Sequence, residues 1–109
     1  MNFKQGDIIF LDFDPQLGHE QSGKRPAIVV SNDDFNKFTS LTMVCPITGT
    51  KRGFPAHIEF DSRTKTQGVI MCEQVKALDL SKRNAYFLEK APPDIIGDTV
   101  DMVFSFVEM

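Results

Sequence analysis

Apolar positions fall in short runs separated by polar turns, and the spacing within each run predicts a mostly β chain closed by one helix. Residues 6–13 are rich in strand formers and end at Pro15 and Gly18, so they read as a strand running into a loop. Pro26 fixes the entry into Ala27-Ile28-Val29-Val30, an all-apolar strand of the kind buried on both faces and the expected centre of the sheet. Between the two strands lies Gly18-His19-Glu20-Gln21-Ser22-Gly23-Lys24-Arg25-Pro26, a polar loop that its neighbours would hold rigidly. Ser31 or Asn32 then caps a short helical turn through Phe38, with Asp33 and Asp34 at its positive end. Phe35 and Phe38, three apart, are expected to face the core together.

Residues 41–47 alternate most clearly, with Leu41, Met43, Cys45 and Ile47 on the face packed against a core and Thr42, Val44 and Pro46 on the other. After a loop of hydroxyls, cations and glycines at 48–53, residues 56–60 return as a half-exposed strand with His57 and Glu59 on its polar face. His57 reads as a solvated or structural histidine, a substrate contact being the alternative. Residues 68–78 form one or two strands and contain a conflict, because Glu73 falls on the same face as Val69, Met71, Val75 and Ala77. A desolvated carboxylate is costly there. Either it meets a cation such as Arg25, or a bulge after Cys72 turns it outward. A turn at 81–84 and a short strand at 85–90 follow. Pro92 and Pro93 open a helix with Asp94 in its first turn, and Ile96, Val100, Val103, Phe104 and Val107 form a stripe expected to lie on the sheet. The sum is an α+β, mostly β, antiparallel small barrel with a C-terminal α-helix.

The 109 residues bound one domain over 1–109, and 41% hydrophobic with 25% charged residues describes a soluble globular chain. The longest apolar runs, 8–11 and 27–30, are far short of the ~20 residues of a membrane span. Asp7, Asp12 and Asp14 interrupt any signal-like segment, so no membrane and a cytoplasmic location are expected. Cys45 and Cys72 lie in separate apolar strands with no Cys-x-x-Cys spacing, which predicts buried free thiols rather than zinc ligands or a disulfide. The net charge of −3 does not advertise a nucleic-acid binder, yet Lys24-Arg25, Lys51-Arg52, Arg63/Lys65 and Lys82-Arg83 all fall in presumed loops. Gathered at one end of a barrel they would make a local basic patch.

No His-x-x-x-His, calcium loop, phosphate-binding glycine loop or Gly-x-Ser-x-Gly elbow is present, so no metal or cofactor is expected. Arginine, histidine, glutamate and threonine remain, a set suited to binding a phosphate and moving a proton beside it. That set suffices if the substrate brings its own nucleophile. RNA does, through the 2′-hydroxyl.

The sequence resembles the MazF/PemK family of toxin endoribonucleases of toxin-antitoxin pairs along essentially its whole length. The likeness rests on Gly6-Asp7-Ile8, Asp14-Pro15, Gly18-His19-Glu20-Gln21, Gly23-x-Arg25-Pro26, Pro46-Ile47-Thr48, Gly68-Val69 and Glu73-Gln74-Val75. It implies an SH3-like barrel of the CcdB/PemK kind, a homodimer, metal-independent cleavage of single-stranded RNA at short sequences, and a cognate antitoxin whose tail covers the RNA groove. Arg25 and Thr48 match the family's principal catalytic pair, Glu20 and Gln21 its loop contacts, and Glu73-Gln74 its second acidic segment. His19 matches the assisting histidine of the PemK branch. Some members of that branch carry an arginine two residues before the acid; here that position is Met71, which leaves Arg25 as the main cation.

Guanidinium hardly ever deprotonates in proteins, so Arg25 is assigned to clamping phosphate, while His19, Glu20 or Glu73 is the easier base. Thr48 could donate to a phosphate oxygen or merely cap a turn. Phe54 is a candidate base stacker or a loop anchor, and Asn32, Lys51 and Gln74 are candidate polar contacts with RNA. Two rival readings are a non-enzymatic gyrase-poisoning toxin of the same fold and a silent interaction module. The first would call for a tryptophan near the chain end and the second for an aromatic groove, but the chain has no tryptophan and one tyrosine.

Overall fold

The computed structural model describes residues 2–14 and 18–109, so the expected strand terminator Pro15 lies outside the described residues. Strands β1 (Asp7–Asp12), β2 (Lys24–Val29), β3 (Thr42–Thr48), β4 (His57–Glu59), β5 (Val69–Met71), β6 (Lys76–Leu78) and β7 (Tyr86–Lys90) are joined by helix α1 (Asp33–Phe38) and closed by helix α2 (Pro93–Ser105). They pair antiparallel in the order β4-β5-β3-β2-β1-β7, with β6 also on β3. This is the expected α+β class, an SH3-like barrel whose sheet is not closed on itself. Ala27, Ile28 and Val29 are fully buried in β2, between β1 and β3, as an all-apolar strand should be.

β2 begins three residues earlier than its apolar run, so Arg25 sits on a strand, paired with Leu11, and not in the preceding loop. Pro26 is tolerated there, opposite Phe10.

The segment from Val69 to Leu78 runs along a single edge of β3 but is broken by a 3-10 turn, Cys72–Gln74. Ile47 pairs with Ile70; continuing that ladder would set Val44 against Glu73, whereas Val44 pairs with Lys76. Three residues are therefore looped out, opposite Pro46, whose missing N–H weakens the ladder there. The turn resolves the conflict at Glu73. The carboxylate does face outward, but through a 3-10 turn rather than a bulge, and its partner is His57, not Arg25.

Both faces of the sheet are covered. Ile8, Ile28, Cys45, Ile47 and Ile70 pack with Ile95 of α2, while Ile9, Leu11, Phe13, Ala27, Val29 and Val44 pack with Phe3. The one-sided reading of 41–47 is thereby corrected, since Val44 and Pro46 are as buried as Cys45. Cys45 and Cys72 are free and buried as expected. The Cys45 thiol is pushed up, far above the ordinary cysteine range, by its hydrogen bond with Cys72 and by burial.

The helices correct two expectations. Asn32 Oδ1 accepts from the Phe35 N–H at 2.9 Å, the N-cap of α1, but α1 buries no residue: Phe35 is only half-buried and Phe38 is 79% exposed, so the two do not face the core together. In α2 the buried stripe runs through Ile95 and Thr99, with Ile96, Val100, Met102 and Val103 packed beside it. Phe104 is 62% exposed and Val107, beyond the last turn, 74%, so neither lies on the sheet. Thr99 tolerates complete burial because its hydroxyl donates to the Ile95 carbonyl at 2.8 Å.

Candidate active site

The loop from Gly18 to Gly23 is fastened at several points. The Gly23 N–H donates to Asp14 Oδ1 at 2.9 Å and its carbonyl accepts from the Phe13 N–H at 2.9 Å, so the loop returns onto the end of β1. Gly23 holds φ at +76°, a conformation that side chains oppose. The Gln21 N–H donates to Gln74 Oε1 at 2.8 Å, which ties the loop to the 3-10 turn 53 residues away. Lys76 Nζ meets Glu20 Oε2 at 3.0 Å, a second tie between the same two segments.

Arg25 leaves this loop on β2. Its Nε donates to the Ser22 carbonyl at 3.1 Å and its Nη1 approaches the Ile47 carbonyl at 3.5 Å, so the guanidinium is half-buried and aimed along the end of β3. Ala27 pairs with Pro46; extending that register by two residues sets Arg25 opposite Thr48. Facing residues of an antiparallel pair share a face, which places the two side chains together. Thr48 Oγ1 accepts from the Thr50 N–H at 3.3 Å, the turn-capping role, and its own proton remains to be donated. Gly68 lies behind Thr48: a Cβ there would stand 2.2 Å from the Thr48 carbonyl oxygen. Only glycine admits so close an approach.

His19, Glu20, Glu73, Gln74, Val75 and Lys76 line a groove of about 410 Å³, to which the Gln21–Gln74 tie joins the loop leading into Arg25. His19 and Glu20 are exposed on it, and Glu73 Oε2 is held 3.0 Å from His57 Nε2. Phe54 stands edge-on to the His57 ring, with centroids 5.1 Å apart, and is itself 49% exposed. The expected site residues therefore divide. Arg25 and Thr48 meet through the register; His19, Glu20, Gln21, Glu73 and Gln74 meet through the groove and its ties; Phe54 joins through His57. Lys51 is ion-paired with Glu59 at 3.0 Å. Asn32 caps α1 and lines a different hollow, with Lys4, Gln5, Asp33, Asp34 and Lys90, so it is not brought to the groove.

The other basic clusters contribute less than their number suggested. Arg63 bridges Asp61 and Asp94, each at 2.8 Å, and these pairings hold both carboxyls below the usual range. Arg83 donates to the carbonyl of Asp12 at 3.1 Å, beneath the loop. Two positioning residues escaped sequence reasoning, Gly68 and Lys76. His57 was seen, but not as the partner of Glu73, although a polar residue and a misplaced carboxylate on neighbouring strands were the available signal. No helix among the described residues is long and apolar enough to cross a membrane.

A half-open antiparallel barrel with one helix on its face and an arginine and threonine on adjacent strand ends defines a class shared with known proteins. The chain matches the PemK-like, MazF-like toxins of type II toxin-antitoxin systems over residues 4–103, and it belongs to that family. Among curated relatives, Endoribonuclease PemK of Escherichia coli is 31% identical over 104 residues, covering 91% of this chain and 77% of that protein. Endoribonuclease toxin ChpB of Escherichia coli strain K12 is 35% identical over 114 residues, 97% of this chain and 95% of its own length. The crystal structure of MazF from Deinococcus radiodurans superposes with a TM-score of 0.93 at 32% identity, covering 100% of this chain and 99% of that one. MazF in a MazE-MazF structure from the same organism gives 0.86 at 32% identity, covering 100% and 98%.

Proposed function

We propose that this chain is a cytoplasmic, sequence-specific endoribonuclease toxin that cleaves single-stranded RNA without a metal ion and is silenced by a cognate antitoxin. The observation that carries this reading is the register that sets Arg25 opposite Thr48, with the loop that leads into Arg25 tied through Gln21 and Gln74 to a groove lined by two carboxylates and a histidine. Family membership supports it, as do relatives named endoribonucleases and a neighbour solved with MazE.

In the proposed reaction a base removes the 2′-hydroxyl proton and the resulting alkoxide attacks the adjacent phosphorus. The bond to the 5′-oxygen breaks, that oxygen takes a proton, and the products are a 2′,3′-cyclic phosphate and a 5′-hydroxyl. Arg25 clamps the phosphate and offsets the growing negative charge, and Thr48 donates its hydroxyl to a non-bridging oxygen. The base is chosen from His19 and Glu20, and Glu73 faces the RNA as a binding residue. Glu20 is paired with Lys76 and His19 stands exposed at the rim, while Glu73 is held by His57. The active form is a homodimer, for which Phe104, Phe106 and Val107 supply exposed apolar surface.

The test is cleavage of a long single-stranded RNA in excess chelator. The unaltered protein cuts at discrete sites leaving cyclic phosphates, and Arg25→Ala or Thr48→Ala lowers kcat by a factor of about 10² or more. Cutting that survives Arg25→Ala unchanged would remove the proposed site, and its absence from the folded, antitoxin-free protein would remove the activity.

A further inference from the structure

The proposed chemistry leaves His57 unused, yet its placement is specific. The side chain is 8% exposed, on β4 at the position paired with Met71 of β5. Its Nε2 lies 3.0 Å from Glu73 Oε2, while Nδ1 is buried without a hydrogen-bond partner among the described residues. An ionised carboxylate only accepts, so the proton of the neutral ring must sit on Nε2. Nδ1 then carries a bare lone pair, which is tolerated in a buried position better than an orphaned N–H. The ring is thus fixed as a donor to Glu73. Phe54 packs edge-on against the same ring, and its carbonyl accepts from the His57 N–H at 3.0 Å. One buried imidazole therefore touches two exposed groups, the Phe54 ring and the Glu73 carboxylate that lines the groove.

We propose that His57 is a positioning residue for base recognition: it holds Glu73 so that the carboxylate accepts from a base bearing an exocyclic amino group, beside the stacking face of Phe54. This rests on the ribonuclease reading. Adenine, cytosine and guanine each present an amino donor on the edge exposed when a base is splayed from a single strand. Uracil presents one N–H between two carbonyl oxygens, which a fixed carboxylate repels. The carboxylate is held by its Oε2 alone among the described residues, so its other oxygen is the one offered to the base.

The experiment uses the unaltered protein and oligoribonucleotides carrying its mapped cleavage sequence, each position varied in turn among the four bases. At one position an amino-bearing base is preferred over uracil by about tenfold or more in kcat/KM. His57→Phe, which keeps a ring beside Phe54 but donates nothing, reduces that ratio about tenfold while kcat on the preferred substrate stays within about threefold. His57→Gln, whose amide N–H₂ reaches the place of Nε2, restores the ratio. Glu73→Gln weakens the preference by replacing one acceptor with a donor.

An equal loss on all substrates in His57→Phe, or a His57→Gln protein as indiscriminate as His57→Phe, would overturn the positioning role. Should His57→Phe fail to fold, the ¹⁵N spectrum of the unaltered protein decides. A proton on Nε2 supports the assignment and one on Nδ1 overturns it. Failure of the ribonuclease reading is seen separately and earlier, as an unaltered protein that cuts none of the oligonucleotides.

Discussion

Replacing Gly68 with alanine tests whether the backbone behind Thr48 sets the catalytic geometry. The added Cβ would lie 2.2 Å from the Thr48 carbonyl oxygen, 3.0 Å from its carbonyl carbon and 3.1 Å from the Gly49 Cα. Ordinary contact begins near 3.4 Å, so one of the two strands must retreat by about 1 Å. None of these atoms is the end of a flexible side chain. The residue also holds φ at +111°, which costs a non-glycine residue about 1–3 kcal/mol. Overpacking in a fixed backbone adds about 1–3 kcal/mol, so the expected destabilisation is about 2–6 kcal/mol. A displacement of about 1 Å in Thr48 should also lower cleavage about 10²-fold. Urea denaturation gives the first quantity and cleavage of the mapped RNA sequence the second. Gly97→Ala is the control: no atom lies within 4 Å of the Cβ it would add in α2, and it should stabilise by about 0.5–1 kcal/mol with unchanged activity. A Gly68→Ala protein with an unaltered midpoint and full activity would refute the steric argument.

Gln74→Leu removes the acceptor for the Gln21 N–H; the loop loosens, KM rises several-fold and stability falls by about 1 kcal/mol, read by initial rates and denaturation. Glu89 supplies the acid-range prediction. Desolvation pushes its carboxyl up, but hydrogen bonds from the Thr66 hydroxyl and the N–H groups of Thr66 and Lys65 outweigh it and hold the group below its ordinary 4.5. A folded value below the unfolded one means that its stabilisation is present above about pH 4.5 and is lost as pH falls through the folded value. Glu89→Gln should therefore cost about 1 kcal/mol near neutral pH and less in acid, and stability measured from pH 7 to 3 should lose part of its slope. Asp61, Asp79 and Asp94 are lowered as well and keep the remainder of that slope.

The strands and the polar loop were legible because they depend on local periodicity. The run 27–30 needed no partner to announce itself as central, and a cap at Ser31 or Asn32 was announced by side-chain chemistry, Asn32 being the one that accepts from the helix. What escaped depended on where an element stops. Phe38, Phe104 and Val107 satisfy helical spacing, but they sit at or beyond the last turn, where the helix no longer faces the sheet. Glu73 was legible as an anomaly and illegible as a solution, because the partner that settles it lies 16 residues away on another strand. The Arg25 and Thr48 juxtaposition needed the β2 and β3 register, which neither strand states alone. Gly68 read as the start of a strand, since nothing in its own neighbourhood of sequence mentions the Thr48 carbonyl.

The looped-out turn between β5 and β6 also separates two kinds of freedom. Each flanking strand has its own register on β3, so the sheet is specified without reference to what the turn contains. Within the turn, Cys72 is committed to the core and Gln74 to the loop. Glu73 is the exposed member of the three, held at the groove by His57. Exchange at that position leaves both registers on β3 intact but must keep an acceptor for the buried His57 Nε2–H, so target choice and local stability change together there.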